Sequence, residues 1–228
     1  MERLSMNKFL AAAAAALLAA AQASATTVLN SRDTFDALGR GSAFFTDLDN
    51  QGSTAPVPFG FGPLSFSGSF GTAFYWASDW HENAPGVNGN VDGTAWVQMR
   101  LNTFNGPVTI SSGAGFQALG FDLRPYFDAS GNADGGETVL FSTDTGESGS
   151  FRLPTTNAVA FLGLVFDAPV QSVSFGIGTD HVNGFTWFGV DNLQTYASVS
   201  AVPEPASVAL LLAGLGSVGL AARRRRAG

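Results

Sequence analysis

The sequence predicts an all-β protein. The expected architecture is a two-sheet antiparallel, jelly-roll-like β-sandwich, with a cleaved N-terminal signal helix before it and a C-terminal hydrophobic helix after it. Three observations carry this. Short runs rich in Val, Phe, Ile and Thr recur along the chain, divided by Gly, Asn, Asp, Ser and Pro. Several of them alternate apolar and polar residues, the mark of a strand with one buried face. The two ends differ from this middle, each carrying an apolar, nearly uncharged run beside basic residues.

At the N-terminus, Arg3 and Lys8 precede an alanine-rich stretch from Phe9 to Ala21, followed by small residues at Ala23-Ser24-Ala25. This reads as a secretory signal peptide over residues 1–25, cut before Thr26. Translation starts at Met1 or Met6, because the segment from Met6 is already a complete signal. The sandwich domain is expected over residues 26–202, and a separate C-terminal segment over 203–228.

Within 26–202 one stretch looks helical. "SRDTFDALG" offers Ser31 as N-cap, Phe35 and Leu38 on one face, and Gly39 as C-cap. Strands are expected at 43–48, 64–67, 73–77, 94–100, 108–110, 116–124, 137–142, 150–153, 159–166, 170–177 and 187–196. Leu119, Phe121 and Leu123 share one face, with Gly120 and Asp122 on the other. Val173, Phe175 and Ile177 alternate in the same way. "VAFLGLVF" is apolar throughout and fits a strand covered on both faces. The span is 177 residues long and holds four tryptophans, enough for one well-buried core.

Charge limits the partners. Residues 26–202 contain five arginines, no lysine and sixteen acidic residues, a net charge of −11, against −7 for the whole chain. Such a surface repels nucleic acid, whose binding depends on cationic side chains neutralising phosphates. The chain has no cysteine, so thiol nucleophiles, thiolate metal sites and disulfides are all excluded. Its two histidines, His81 and His181, stand a hundred residues apart, and no nucleophile elbow, phosphate loop or dinucleotide fingerprint occurs. A non-enzyme is expected.

The C-terminus has three parts in order. Pro203-Glu204-Pro205 is followed by the seventeen uncharged residues Ala206–Ala222 and then by Arg223, Arg224, Arg225 and Arg226. The run is just long enough to span a bilayer, and the arginines would stay on the cytoplasmic side. This arrangement resembles the PEP-CTERM sorting signal of Gram-negative bacteria. The resemblance implies export through the secretion machinery and transient anchoring in the inner membrane by the C-terminal helix. It also implies recognition by an exosortase, cleavage near the Pro-Glu-Pro motif, and a final place at the cell surface or in the extracellular exopolysaccharide matrix. More loosely, "ALGFDL", "FLGLVFDAPVQSVSFGI" and "FGVDNLQTY" resemble the strands of carbohydrate-binding-module and lectin sandwiches.

Two kinds of site follow. Calcium takes six to eight oxygen ligands. Sandwiches of the resembled kind often hold it between an early acidic strand end and an aspartate of the last strand, which here would be Asp47 and Asp49 with Asp191. The other reading is that Asp191 and Asn192 form a strand bulge or hydrogen-bond the edge of the sandwich. The loop "FDASGNADGGE" (residues 127–137) imitates a calcium loop but has Ala133 where a glycine is needed, and reads as a polar hairpin loop. Glycan binding is the second site. In "FYWASDWHEN", Trp80 offers a ring to stack on a sugar, with Asp79, His81 and Asn83 to bond its hydroxyls. His181 in "GTDHVNG" would join them if both loops share one end of the sandwich. The expected function is therefore a non-catalytic, glycan-binding matrix or cell-surface protein. The alternatives are a structural or adhesive biofilm protein without a defined ligand, and a polysaccharide hydrolase using paired carboxylates.

Overall fold

The computed structural model of the chain describes residues 26–46, 55–69, 73–76, 90–104, 106–126, 135–179 and 185–199. Its elements are β1 (Thr27–Leu29), α1 (Arg32–Leu38), β2 (Gly39–Thr46), β3 (Ala55–Pro56), β4 (Phe59–Phe61), β5 (Leu64–Ser67), β6 (Ala73–Trp76), β7 (Trp96–Asn102), β8 (Val108–Pro125), β9 (Thr138–Thr143), β10 (Ser148–Arg152), β11 (Ala160–Ile177) and β12 (Phe185–Val199). The protein is an antiparallel β-sandwich, as the alternation predicts.

Two long strands build both layers. Each of β8 and β11 runs for 18 residues, and they pair along most of their length with register shifts between Val165 and Ser172. The sequence divides each into two strands, because "GAG" (113–115) and "DAP" (167–169) read as breaks. The structure makes them bends within continuous strands. Their exposure and the positive φ of Gly115 (73°) mark the corners where the strands pass from one layer to the other. One layer then runs β10, β9, the second half of β11, the first half of β8, β5 and β4. The other runs β1, the first half of β11, the second half of β8 and β12. Beyond β12 lie β7, β6 and β3, with β2 continuing on that same flank.

The main core lies between the layers. Phe66, Ile110, Phe121, Val173, Phe175, Phe188 and Leu193 are among its buried members. A second cluster lies on the outer side of the β1–β11–β8–β12 layer, where α1 seats Phe35 against Ala118, Val165 and Tyr196. This is why "VAFLGLVF" is apolar on both faces. Ser31 caps the helix as expected, accepting a hydrogen bond from Thr34 N at 3.3 Å. Gly39 is the C-cap as expected, its N–H donating to Asp36 O, but its backbone is extended and not left-handed. Its φ of −59° and ψ of 135° already belong to β2, and a Cβ there would lie 2.3 Å from the Tyr196 ring. The glycine ends the helix and also allows close packing against Tyr196.

Candidate functional site

Of the candidate site residues, only Asp191 falls among those described. Asp47, Asp49, Asp79, Trp80, His81, Asn83 and His181 lie outside them, as do Pro203, Glu204, Pro205 and the arginines from 223 to 226. The segments where the two end helices are expected lie outside as well, and no helix among the described residues is long and apolar enough to cross a membrane.

Asp191 sits in the middle of β12, directly opposite Asp122 of β8, and is fully buried. A register shift follows it, with Asn192 in the left-handed region at φ 51°. The bulge reading of "FGVDN" is therefore observed. Asn is among the few side chains that tolerate this conformation, and it turns its amide into a hub. Asn192 Nδ2 donates to Asp122 Oδ2 at 3.1 Å and to Asp92 Oδ2 at 3.3 Å, while Asn192 N donates to Asp191 Oδ1 at 2.7 Å.

Asp92 comes from the turn that leads into β7. Asn90 shapes this turn, accepting from Gly93 N at 2.6 Å and donating to Thr94 O at 2.7 Å. Arg124 of β8 holds it from below by donating to Asn90 O at 3.0 Å. Thr94 Oγ1 then reaches Asp92 at 2.6 Å and Asp191 at 3.4 Å. Arg32 of α1 closes the far side, pairing with Asp122 at 2.9 Å, donating to Asn192 O and Gln194 Oε1, and lying over the Phe161 ring at 4.6 Å.

Three carboxylates from three segments thus share one corner with one arginine. Arg32 balances Asp122. Burial, and next the negative charge of Asp92, push Asp191 up to about 8. Burial also opposes ionisation of Asp92, but hydrogen bonds from Thr94, Asn192 and Asp191 outweigh it and hold Asp92 below the usual carboxylate range. The raised value favours the protonated form of Asp191 beside the Asp92 carboxylate. Among the described residues no group of three or more acidic or histidine side chains has an arrangement that holds a metal ion. In the described part of this corner an arginine and a proton offset two of the three negative charges.

Sequence reasoning missed Asp92 and Asp122 as neighbours of Asp191. Asp122 was legible as an outward residue of its strand, but the pairing of β8 with β12 was not. Glu137, in the hairpin loop read as polar, accepts a hydrogen bond from Thr186 Oγ1.

A second feature lies on the outer face of the other layer. Ser67, Thr109, Ser174, Ser142 and Ser148 stand opposite one another in register across β5, β8, β11, β9 and β10. Ser65, Ser111 and Ser172 form a shorter parallel row. Within the rows, Thr109 and Ser174 share a hydrogen bond at 2.8 Å, and Ser65 and Ser111 one at 3.0 Å. Alternate residues of the same strands, such as Phe66, Ile110, Val173 and Phe141, face the core. A shallow open depression of about 540 Å³ lies at the β9–β10 end of the face, lined by Leu140, Ser142, Ser148, Ser150 and Ser174. The two rows contain no titratable group, so what they offer is uncharged hydrogen bonding.

The fold and tail together define a class: an exported β-sandwich protein delivered by a C-terminal sorting signal. Residues 201–226 match the PEP-CTERM protein-sorting motif, which marks the chain as exported and processed by an exosortase. No curated relative matches the chain. Among solved structures it is similar to a lysine-to-alanine mutant of CBM29-2 complexed with cellulohexaose, at 13% identity and a TM-score of 0.33, covering 67% of this chain and 90% of that one. It is also similar to a glutamate-to-arginine mutant of a family 29 carbohydrate-binding module, at 12% identity and a TM-score of 0.32, covering 68% and 92%.

Proposed function

We propose that this is a non-catalytic protein of the Gram-negative cell surface or extracellular matrix that binds a neutral, hydroxyl-rich glycan there. In this reading the C-terminal helix anchors the precursor in the inner membrane until the exosortase acts. The observation that carries the address is the sorting motif at 201–226. Support for a glycan comes from the uncharged hydroxyl rows across five strands, and from the expected stacking loop with Trp80 and His81. Hydroxyl side chains both donate and accept, as sugar hydroxyls do.

The test is retention of the purified protein on the exopolysaccharide of its own producer and on a glycan array. Retention should weaken when Ser142, Ser148 and Ser174 are replaced together by Ala, or when Trp80 is. No retention on any glycan would favour the structural or adhesive reading. Release of reducing ends from the same polysaccharide, lost on replacing a carboxylate, would establish a hydrolase instead.

Calcium belongs to this reading only if Asp47 and Asp49 bring their carboxylates to Asp191. A melting temperature that rises in millimolar calcium, with the response lost in Asp191→Asn, would support that site. A melt indifferent to calcium and chelator would remove it.

A further inference from the structure

Two acidic side chains are buried among the described residues, Asp191 and Glu147. Asp191 has its neighbours. Glu147 is only 6% exposed and sits in the turn between β9 and β10. The turn is fixed by Thr143, whose N donates to Glu147 O at 2.9 Å and whose Oγ1 accepts from Glu147 N at 3.0 Å. This leaves the Glu147 carboxylate free to reach the start of the sandwich, where Oε2 accepts from Thr26 Oγ1 at 2.9 Å.

A carboxylate removed from water needs a cation or several donors. The arginines of the sandwich are committed elsewhere. Arg32 pairs with Asp122, Arg40 donates to the carbonyls of Ala37 and Gly39, and Arg100 lies over Trp187. Arg124 holds Asn90 and Asn157, and Arg152 holds the Gly136 carbonyl. The span from 26 to 202 has no lysine.

One more cation is available. Thr26 follows Ala23-Ser24-Ala25, and cleavage there turns the Thr26 nitrogen from an amide into an ammonium group. That nitrogen is three bonds from Oγ1, about 3–4 Å away, so the new charge appears beside the carboxylate that Oγ1 already contacts. We infer that removal of the signal peptide at Ala25 completes an ion pair between the Thr26 α-ammonium and Glu147. The pair fastens β1 to the β9–β10 turn and makes the sandwich more stable after processing than before it. The inference rests on the signal-peptide reading. β1 has only three paired residues, Thr27, Val28 and Leu29 against Val165, Leu164 and Gly163, so a clasp at its first residue has leverage.

The experiment compares chains that run to Gly228 in mild detergent. One starts at Thr26 with a free amine, one starts at Thr26 with an acetylated amine, and one retains Ala23-Ser24-Ala25. Each is made with Glu147 and with Glu147→Gln. The free-amine chain should melt roughly 2–4 °C above the other two, the size of a modest interaction in a domain of this length. That gap should vanish in the Glu147→Gln set. A gap that survives Glu147→Gln, or no gap in the parent set, overturns the clasp. Intact mass of the exported protein tests the underlying reading separately. A first residue other than Thr26 overturns both, whereas a start at Thr26 with additive melts overturns the clasp alone.

Discussion

Gly163 of β11 stands directly opposite Gly120 of β8, and the rings of Phe35 and Phe161 fill the space that their missing side chains leave. A Cβ on Gly163 would lie 2.7 Å from Phe35 Cδ2, and one on Gly120 would lie 2.9 Å from Phe35 Cε1. The two glycines make a slot in the outer face of the layer, and α1 docks through it. Gly163→Ala or Gly120→Ala should therefore cost about 1–3 kcal/mol by overpacking. Phe35→Ala should cost about 3–5 kcal/mol. Combining Phe35→Ala with Gly163→Ala should cost less than the sum, because the ring that the methyl strikes is gone. Urea unfolding of the four proteins gives the comparison.

Asp191 should make stability depend on pH. Its folded pKa of about 8 lies above the ordinary carboxylate value. Between pH about 4 and about 8 the folded protein holds a proton that the unfolded chain releases. Stability should decline as pH rises through that window, by at most about 1.4 kcal/mol per unit, and level off above it. Asp92 acts with the opposite sign. Held low in the folded state, it adds stability that is present above pH about 4 and lost as the pH falls below. Asp191→Asn should flatten the decline between pH 5 and 8 and leave the acid side in place. Urea midpoints at half-unit steps of pH measure both.

Arg32 carries several contacts at once. Replacing it by Met removes the guanidinium from over Phe161, the Asp122 pair and the bonds to Asn192 O and Gln194. Both partners of the pair are partly exposed, at 28% and 20%, so the direct loss should be about 1 kcal/mol. Arg32→Met also leaves Asp122 without its cation, beside the other two carboxylates. The variant should therefore recover part of its stability when Asp122 becomes Asn, and a double-mutant cycle reads that coupling.

Processing should depend on the tail. Replacing Glu204, or the four arginines from 223 to 226 together, should leave uncut precursor in the membrane fraction of the producing cell. An immunoblot showing equal processing of parent and variants would count against recognition of the 201–226 motif.

The class of fold was legible because alternation survives in single strands such as 173–177, where each residue reports its own face. The continuity of β8 and β11 was not. Their corners at 113–115 and 167–169 use the same Gly, Asp and Pro residues that end strands elsewhere. Asp191 was legible as a strand aspartate that demands an explanation. Its partners were not, since Asp92 and Asp122 lie far from it in sequence and meet it only through the β8–β12 and loop–strand packing. Gly120 was legible only as a residue of the face opposite Leu119, Phe121 and Leu123, and Gly163 only as part of an apolar run. Their purpose appears only once Phe35 is placed.

β12 has a flanking strand on both sides along most of its length, with β8 on one edge and β7 followed by β2 on the other. It is also the element that leads into the sorting tail. A cell-surface protein held near residue 199 and pulled by the material around it would receive that force along the axis of β12. Hydrogen bonds between antiparallel strands lie across the strand axis, so such a load shears many of them together instead of peeling them one by one. On the proposed function, a load applied near residue 199 would thus be resisted along both edges of β12 at once.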